Sequence, residues 1–176
     1  MKIRLAEFKD LSEIIPIYEQ ARTFMASYGN SDQWGTIHPR TELLEEDIRL
    51  NRLYVCTKKV CSNTCEKDQI ALVFMLLPEK DPNYDIIIDG SWPDDRPYKT
   101  IHRVASTRKV KGAADFVFAW CEEECRKAGC NFRGDTHEKN LPMQRVFERN
   151  GFRRCGVVFM QDGTPRYAYQ KTLINK

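Results

Sequence analysis

The fold is decided by residues 101–152, which read IHRVASTRKVKGAADFVFAWCEEECRKAGCNFRGDTHEKNLPMQRVFERNGF. Alternating apolar positions predict a strand at its start, and apolar residues at i, i+3 and i+4 predict a helix over 113–127. A short strand follows over 132–136, and a polar turn then leads to a helix that stops at Gly151-Phe152. This order of elements is typical of a mixed α/β domain with a right-handed crossover.

The loop before the long helix is the part of this stretch best suited to binding a ligand. Between Lys99 and Gly112 the chain carries five Lys or Arg residues and no acid. The first N–H groups of a helix lack intrahelical partners and lie at the positive end of its dipole. A glycine-containing basic loop in this place is typical of a phosphate cradle. A helix start beside solvated lysines is the alternative that composition leaves open.

The same residues resemble the acyl-CoA-binding core of the GNAT N-acetyltransferase superfamily. Its loop pattern, Gln/Arg-x-x-Gly-x-Gly/Ala, corresponds here to Lys109-Val110-Lys111-Gly112-Ala113-Ala114. Its Asn that opens a helix ending in Gly-Phe corresponds to Asn140 and Gly151-Phe152. The resemblance to a bacterial subgroup covers nearly the whole chain through NSDQW at 30–34, GSW at 90–92, HRVA at 102–105, DTH at 135–137 and RYAY at 166–169.

The resemblance implies one acyl-CoA-binding N-acetyltransferase domain over residues 1–176, with acetyl-CoA as co-substrate. It implies an α/β fold with a mostly antiparallel sheet of about six or seven strands, splayed near Val104–Ser106, with helices on both faces. The implied CoA contacts are Val104, Ala105 and Ser106 for the thioester and pantetheine, Lys109, Val110, Lys111, Gly112, Ala113 and Ala114 for the pyrophosphate, and Asn140, Met143 and Phe147 for the pantetheine arm.

Two features depart from the family pattern. Lys109 stands where Gln or Arg is usual, in a loop from Ser106 to Gly112 that is shorter than the usual form, so the contacts with CoA are altered. Phe147 stands where many members have a tyrosine that serves as general acid. The resemblance therefore assigns no acid at that position.

Composition argues against several other functions. A net charge of +3 without a long basic block argues against nucleic-acid binding. We find no signal segment and no apolar run near the roughly 20 residues that span a bilayer, so we expect a cytoplasmic protein without membrane contact. The seven cysteines are then expected to be reduced thiols rather than a zinc site, although Cys61/Cys65 and Cys121/Cys125 share a C-x3-C spacing. We expect no metal, and both a monomer and a homodimer remain open.

The remaining elements follow from periodicity and turn residues. Asp10 is expected to cap a helix in which Pro16 introduces a kink or a delayed start, and Thr41 to cap a second helix to about Leu50. A loop is expected over 28–40. Further extended segments are predicted at 2–8, 52–59, 69–78, 86–88, 98–106, 152–160 and 165–171, the last two forming a hairpin over Asp162-Gly163.

Acetyl transfer to an amine needs a base, because an ammonium group with a pKa near about 10 must lose a proton before it attacks. The candidates are His102 on the strand before the basic loop, Asp135 on the strand after the helix, and His137 in the following turn. Imidazole is the side chain that changes protonation near neutral pH. A satisfied structural role is the open alternative for each of the three.

The acid that protonates the leaving thiolate must come from elsewhere, because Phe147 has no hydroxyl. Tyr169 is the candidate we retain, with Tyr167, a cysteine and water as alternatives. Strand alternation places both tyrosines on one face, where ordinary core packing is equally compatible.

Two loop tryptophans, Trp34 and Trp92, are the candidates for binding the acceptor, since aromatic loop residues often line small-molecule pockets. The acids Glu45, Asp85 and Asp89 could attract a cationic amine or lie solvated at the surface. We expect the acceptor to be a primary amine of a small molecule or peptide, acetylated by direct transfer in a ternary complex. The alternative is an acyl-CoA-binding sensor or interaction module that has lost the chemistry, which Phe147 favours and His102 and Asp135 oppose.

Overall fold

The computed structural model describes residues 1–61 and 66–173. The α-helices of these residues are α1 (Leu11–Ser27), α2 (Thr41–Arg49), α3 (Ala113–Lys127) and α4 (Leu141–Arg149). The strands are β1 (Lys2–Leu5), β2 (Leu53–Cys61), β3 (Glu66–Leu77), β4 (Ile87–Ile88), β5 (Tyr98–Ser106), β6 (Asn131–Thr136), β7 (Arg153–Phe159) and β8 (Pro165–Lys171). Short 3-10 turns cover Phe8–Asp10 and Pro82–Tyr84. The cysteine pair Cys61/Cys65 reaches outside the described residues.

The strands form one open mixed sheet in the order β1-β2-β3-β5-β6-β8-β7-β4, which confirms the predicted fold class. The sheet has eight strands among the described residues rather than six or seven. The difference arises at Ile87–Ile88, because this short segment pairs with Val157 and Val158 of β7 and so counts as a strand. β5 and β6 are parallel, as a strand–helix–strand unit requires.

The chain divides into two compact units, which we describe separately. The first comprises Met1–Met75 and Arg103–Val117, and the second comprises Leu76–His102 and Phe118–Lys176. A single acyltransferase domain over the whole chain stays a prediction. No helix among residues 1–61 and 66–173 has the length and apolar character needed to cross a membrane.

The helix starts of the first unit differ from expectation at two residues. Asp10 precedes α1, but its carboxylate pairs with the Arg4 guanidinium at 2.6 and 2.8 Å instead of capping the helix. Thr41 is the first helical residue of α2, after Arg40, and so is not the cap. Pro16 lies inside α1, which nevertheless begins at Leu11. Proline is tolerated here because it costs the helix only one hydrogen bond, close to the start of its seventeen residues.

The core of the second unit is built around phenylalanine rings. Phe118, Phe132, Phe147 and Phe152 contact one another with ring centroids 4.9–5.8 Å apart. Gly134 of β6 makes room for Phe147, because a Cβ at Gly134 would lie 2.7 Å from two atoms of that ring. Phe147 is therefore packed directly against Gly134 of β6 inside this core.

The pairing of β5 with β6 ends at Ile101↔Gly134, before the predicted splay at Val104–Ser106. The two strands pair from Tyr98↔Asn131 to Ile101↔Gly134, and β6 then continues beside β8 to Thr136. His102 and Asp135 directly follow the last paired residues of these two strands. Side chains that leave a sheet where two strands diverge can face a common space, which is why this point matters for the site.

Candidate active site

A buried polar cluster of the second unit surrounds His102. Nε2 of His102 lies 2.7 Å from Oδ2 of Asp81, and Nδ1 lies 3.5 Å from Oδ2 of Asp135. The imidazole is thus held between two carboxylates. In the tautomer that carries its proton on Nε2, this N–H donates to Asp81 and Nδ1 is the nitrogen that can accept a proton.

The short turn before β4 positions Asp81. Oδ1 of Asp81 accepts hydrogen bonds from the backbone N–H of Asn83 at 2.9 Å and from its side-chain amide at 2.8 Å. The backbone N–H of Asp81 also donates to the hydroxyl of Tyr98, at 3.2 Å. One carboxylate oxygen is therefore used by the turn, and the other is left for His102.

Tyr84 positions the second carboxylate. Its hydroxyl donates to Oδ2 of Asp135 at 2.7 Å, and its ring is almost completely buried. Trp92 holds Tyr84 in turn, because the indole N–H donates to the carbonyl oxygen of Tyr84 at 3.0 Å. The chain of contacts from Trp92 to Tyr84 and Asp135 fixes the orientation of the cluster.

Asp81 and Tyr84, which contact His102 and Asp135 respectively, differ in their protonation states. Burial opposes ionisation of Asp81, but hydrogen bonds from His102 and Asn83 outweigh it and lower the pKa of this carboxyl below its ordinary value. Burial, together with the charges of Asp135 and Asp81, raises the pKa of Tyr84 well above its ordinary value. Asp81 is therefore an anion at neutral pH, and Tyr84 is a neutral hydrogen-bond donor.

His102 is the most accessible of the three ionisable groups. Its side chain is 18% exposed, against 5% for Asp81 and 7% for Asp135. A ligand or water molecule from solvent therefore reaches the imidazole more readily than either carboxylate. The arrangement can accept a proton at His102 and stabilise the resulting imidazolium through both neighbours.

Asp81 and Tyr84 were not predicted from the sequence. The Asp-Pro-Asn run at 81–83 indicates a turn, as observed. Nothing local connects that turn with His102, which is 21 residues further along the chain. Only the packing of the turn against β5 reveals the pair.

Trp92, predicted to bind the acceptor, is half-buried and already packed on both sides. Its ring lies 5.3 Å from that of Tyr84, and the guanidinium of Arg133 lies 3.8 Å from its centre. Arg133 also stacks on Tyr98 at 3.9 Å. In this arrangement Trp92 supports Tyr84, and its contact with an acceptor stays a prediction.

Three further predicted residues of the second unit lie in the turn before α4 or in its first turn. Nδ1 of His137 accepts from the backbone N–H of Lys139 at 3.2 Å, so this imidazole organises the turn. The side chain of Asn140 caps α4 by accepting from the N–H of Met143 at 3.2 Å. Asn140 is buried and Met143 is half-buried, and the roles predicted for both in binding pantetheine remain open.

The two tyrosines of β8 lie in different surroundings. The Tyr169 ring stacks on Phe147 with centroids 4.8 Å apart and planes 9° apart. Burial raises the pKa of Tyr169, with a further contribution from Glu148. Tyr167 is covered by the Arg154 guanidinium at 3.3 Å. Tyr169 is therefore a protonated phenol beside the position where many family members carry their tyrosine.

The first unit contains the basic loop and the end of β5. The N–H and hydroxyl of Thr107 donate to the carbonyl of Ala71 at 3.0 and 3.1 Å, which fixes the loop to β3. Gly112 has φ +78°, a conformation that side chains rarely adopt, and nothing lies within 4 Å of the place for its Cβ. Lys109 and Lys111 are exposed. This open backbone, followed by the start of α3, is compatible with close approach of an anion.

Arg108 and Trp34 of this unit both pack against aromatic residues of the same unit. The guanidinium of Arg108 lies 3.7 Å above the ring of Phe24, so it is directed to α1. Trp34 contacts the Tyr18 ring edge-on at 5.7 Å. Among residues 1–61 and 66–173, no three His, Cys, Asp or Glu side chains are grouped as ligands for a metal ion.

Comparison with solved structures identifies the fold. An acetyltransferase of the GNAT family from Streptococcus agalactiae is similar over 99% of this chain and 96% of its own, with 28% identity and a TM-score of 0.79. A Staphylococcus aureus Mu50 protein described as an acetyltransferase is similar over 98% of this chain and 99% of its own, with 28% identity and a TM-score of 0.68. A Salmonella typhimurium protein solved with its cofactor acetyl-CoA is similar over 99% and 95%, with 15% identity and a TM-score of 0.60.

The chain has the fold of the GNAT acetyltransferases. The comparisons support acetyl transfer at the level of that family. No protein-family model matches the sequence, and no curated protein matches it either.

Proposed function

We propose that this chain is an acetyl-CoA-dependent N-acetyltransferase that acetylates a primary amine of a small molecule or peptide by direct transfer in a ternary complex. One observation carries the proposal within the supported family. His102 lies on the diverging strand β5 with carboxylates 2.7 and 3.5 Å from its two ring nitrogens. A pure binding module has no need of an accessible imidazole between two buried acids.

His102 is the general base in this proposal, and Asp81 is its positioning residue. The acceptor arrives as an ammonium ion and transfers a proton to Nδ1 of His102, directly or through one water molecule. The imidazolium that forms is stabilised by Asp81 and Asp135. The neutral amine then attacks the thioester carbonyl, and the tetrahedral intermediate collapses to the CoA thiolate and an N-protonated amide, which loses its extra proton to solvent. His137 serves the turn before α4 and ranks below the other two candidates.

Acetyl-CoA is the proposed co-substrate, and the solved relative that contains it supports this choice. The backbone of Val104, Ala105 and Ser106 would hold the thioester and pantetheine. The loop from Lys109 to Ala114 would hold the pyrophosphate with its N–H groups and lysine charges. Asn140, Met143 and Phe147 are proposed contacts of the pantetheine arm.

The thiolate is protonated by Tyr169 or by solvent. The ring of Tyr169 stacks on Phe147, so this phenol lies beside the predicted acid position. The proposal needs no metal, nucleic acid or membrane, and places the enzyme in the cytoplasm as a monomer or homodimer. Free thiols at Cys56, Cys121, Cys125, Cys130 and Cys155 are compatible with that compartment.

A panel of primary amines incubated with acetyl-CoA tests the proposal. Consumption of acetyl-CoA and the acetylated product should be measured by chromatography, because Cys155 is only half-buried and would react with thiol reagents. We expect turnover with at least one amine, and a loss of about 10²–10⁴-fold in kcat/KM for His102→Ala. His137→Ala is the matched control and should retain most activity.

The alternative, a non-catalytic acyl-CoA-binding module, is favoured by the burial of Phe147 in an aromatic core. It predicts calorimetric binding of acetyl-CoA without turnover of any amine, and no change in that binding for His102→Ala. Turnover that depends on His102 would reject it.

A further inference from the structure

A groove of the first unit has the size and chemistry of a small-molecule site. It is an open groove with a volume of about 450 Å³ beside α1, the 28–40 loop and the start of α2. Its floor is apolar, formed by Ile15, Tyr18, Pro39 and Leu44. Ligand pockets in proteins typically have such volumes and combine an apolar lining with a few polar groups.

Two arginines at this groove lack acidic partners. Arg22 and Arg40 line it, and neither forms a salt bridge within the part of the chain that the structure describes. Arg22 donates to the carbonyl of His38 at 3.3 Å, which holds its guanidinium against the 28–40 loop. By contrast, the buried Asp47 of the same unit binds Arg52 and Arg103 at 2.8 and 2.6 Å. Within residues 1–61 and 66–173, the guanidinium groups of Arg22 and Arg40 are therefore not held in an ion pair with an acid.

One acid limits the charge of a suitable ligand. Glu19 also lines the groove, one helical turn before Arg22 on α1. Its carboxylate opposes a ligand with several negative charges and is compatible with one that carries a single anionic group beside a positive one. Arginine binds carboxylates and phosphates through parallel N–H donors, so a planar or tetrahedral oxyanion suits this pair.

The floor of the groove is tied to Arg103 of the same unit through Tyr18. Tyr18 is almost fully buried, and its hydroxyl donates to the carbonyl of Arg103 at 2.8 Å. Trp34 packs edge-on against the same ring. The predicted acceptor residue Trp34 is thus held by a side chain of the groove.

We infer that this groove binds the acceptor through an anionic group, so that the substrate is a small amine that also carries a carboxylate or a related oxyanion. An apolar body lies on the floor, and the oxyanion pairs with Arg22 and Arg40. The inference rests on the proposed acetyl transfer, and it narrows the acceptor from any primary amine to an amino-acid-like class.

Matched ligand pairs test the inference by calorimetry on the full chain without acetyl-CoA. Leucine is compared with leucinamide and with 3-methylbutylamine, which both lack its carboxylate. In the same way, 4-aminobutyrate is compared with butylamine. The phosphonate analogue of leucine distinguishes recognition of a phosphonate from recognition of a carboxylate. We expect at least one anionic amine to bind about 10–100-fold more tightly than its neutral partner. That preference should disappear in an Arg22→Gln/Arg40→Gln double variant and be partly kept in Arg22→Lys.

Arg126→Gln is the control, because Arg126 pairs with Glu122 on α3 and does not line the groove. Turnover assays on the same pairs should show that the double variant raises KM far more for the anionic amine than for the neutral amine, so that the preference between the two is lost. Equal binding of every matched pair, or a preference that survives the double variant, overturns the inference.

The two proposals fail in different ways. Arginine-dependent binding of an anionic amine without any acetylation supports the groove and rejects the enzyme. Acetylation of neutral and anionic amines with equal KM supports the enzyme and rejects the groove.

Discussion

Asp81→Asn tests the catalytic cluster most directly. The change removes a negative charge 2.7 Å from Nε2 of His102 and keeps the size of the side chain. Two opposite charges at that distance attract by about 6 kcal/mol at an effective dielectric constant of 20. The carboxamide remains polar and Asp135 remains 3.5 Å from Nδ1, so part of this stabilisation of the imidazolium is retained. We expect kcat/KM to fall by about 10²–10³-fold, in the lower half of the range for general acid–base groups.

The measurement is kcat/KM from acetyl-CoA consumption across pH 6–9 with an amine that the wild type acetylates. Since the imidazolium loses a neighbouring anion, the rise of rate with pH should move to lower pH in the variant. Asp85→Asn is the matched control, because Asp85 follows on the same segment and pairs with the exposed Lys80. Thermal unfolding should confirm that both variants are folded. If folded Asp81→Asn keeps the activity and pH profile of Asp85→Asn, the pairing of Asp81 with His102 has no catalytic role.

Three further predictions concern the CoA loop, the core and acid stability. Gly112→Ala forces a side chain into φ +78° and should weaken calorimetric acetyl-CoA binding by roughly 5–30-fold, whereas Gly163→Ala, at φ +79° with equally open space, should not change it. Gly134→Ala places a Cβ 2.7 Å from the Phe147 ring and should cost about 1–3 kcal/mol of unfolding free energy, which Phe147→Leu in the same chain should partly restore. The hydrogen bond from Arg4 lowers the pKa of Asp10. The decrease in Tm caused by Asp10→Asn should therefore be largest at neutral pH and should shrink as pH falls below about 4.

Hydrophobic periodicity and turn residues were sufficient to predict most of the helices and strands from the sequence. The spans of β5, α3 and β8 match expectation, since their patterns are long and bounded by clear turn residues. Asn140 caps α4 as expected, whereas Thr41 lies one residue inside α2 and the Asp10 side chain does not cap α1. Asp10 is a good cap by residue type, but a bidentate arginine takes its carboxylate.

The candidate site was also predicted only in part from the sequence. His102 and Asp135 were predicted from strand position, and the structure brings them together because β5 and β6 diverge directly before them. Asp81 and the groove arginines could not be predicted, since each depends on packing between segments far apart in sequence. Local patterns report which residues share a face, whereas a charge partner across the fold has no periodic signal.

The phenylalanine at position 147, where many family members have a tyrosine, is nevertheless compatible with catalysis. A thiol has a pKa of about 8.5, so a thiolate can leave near neutral pH with little help from an acid. The attacking amine, with a pKa of about 10, must lose a proton before any bond forms. The step that depends most on a protein group is therefore deprotonation, and the His102 cluster is where that group lies. Phe147→Tyr should accordingly change kcat far less than His102→Ala, and a large gain from Phe147→Tyr would show that protonation of the thiolate limits the rate.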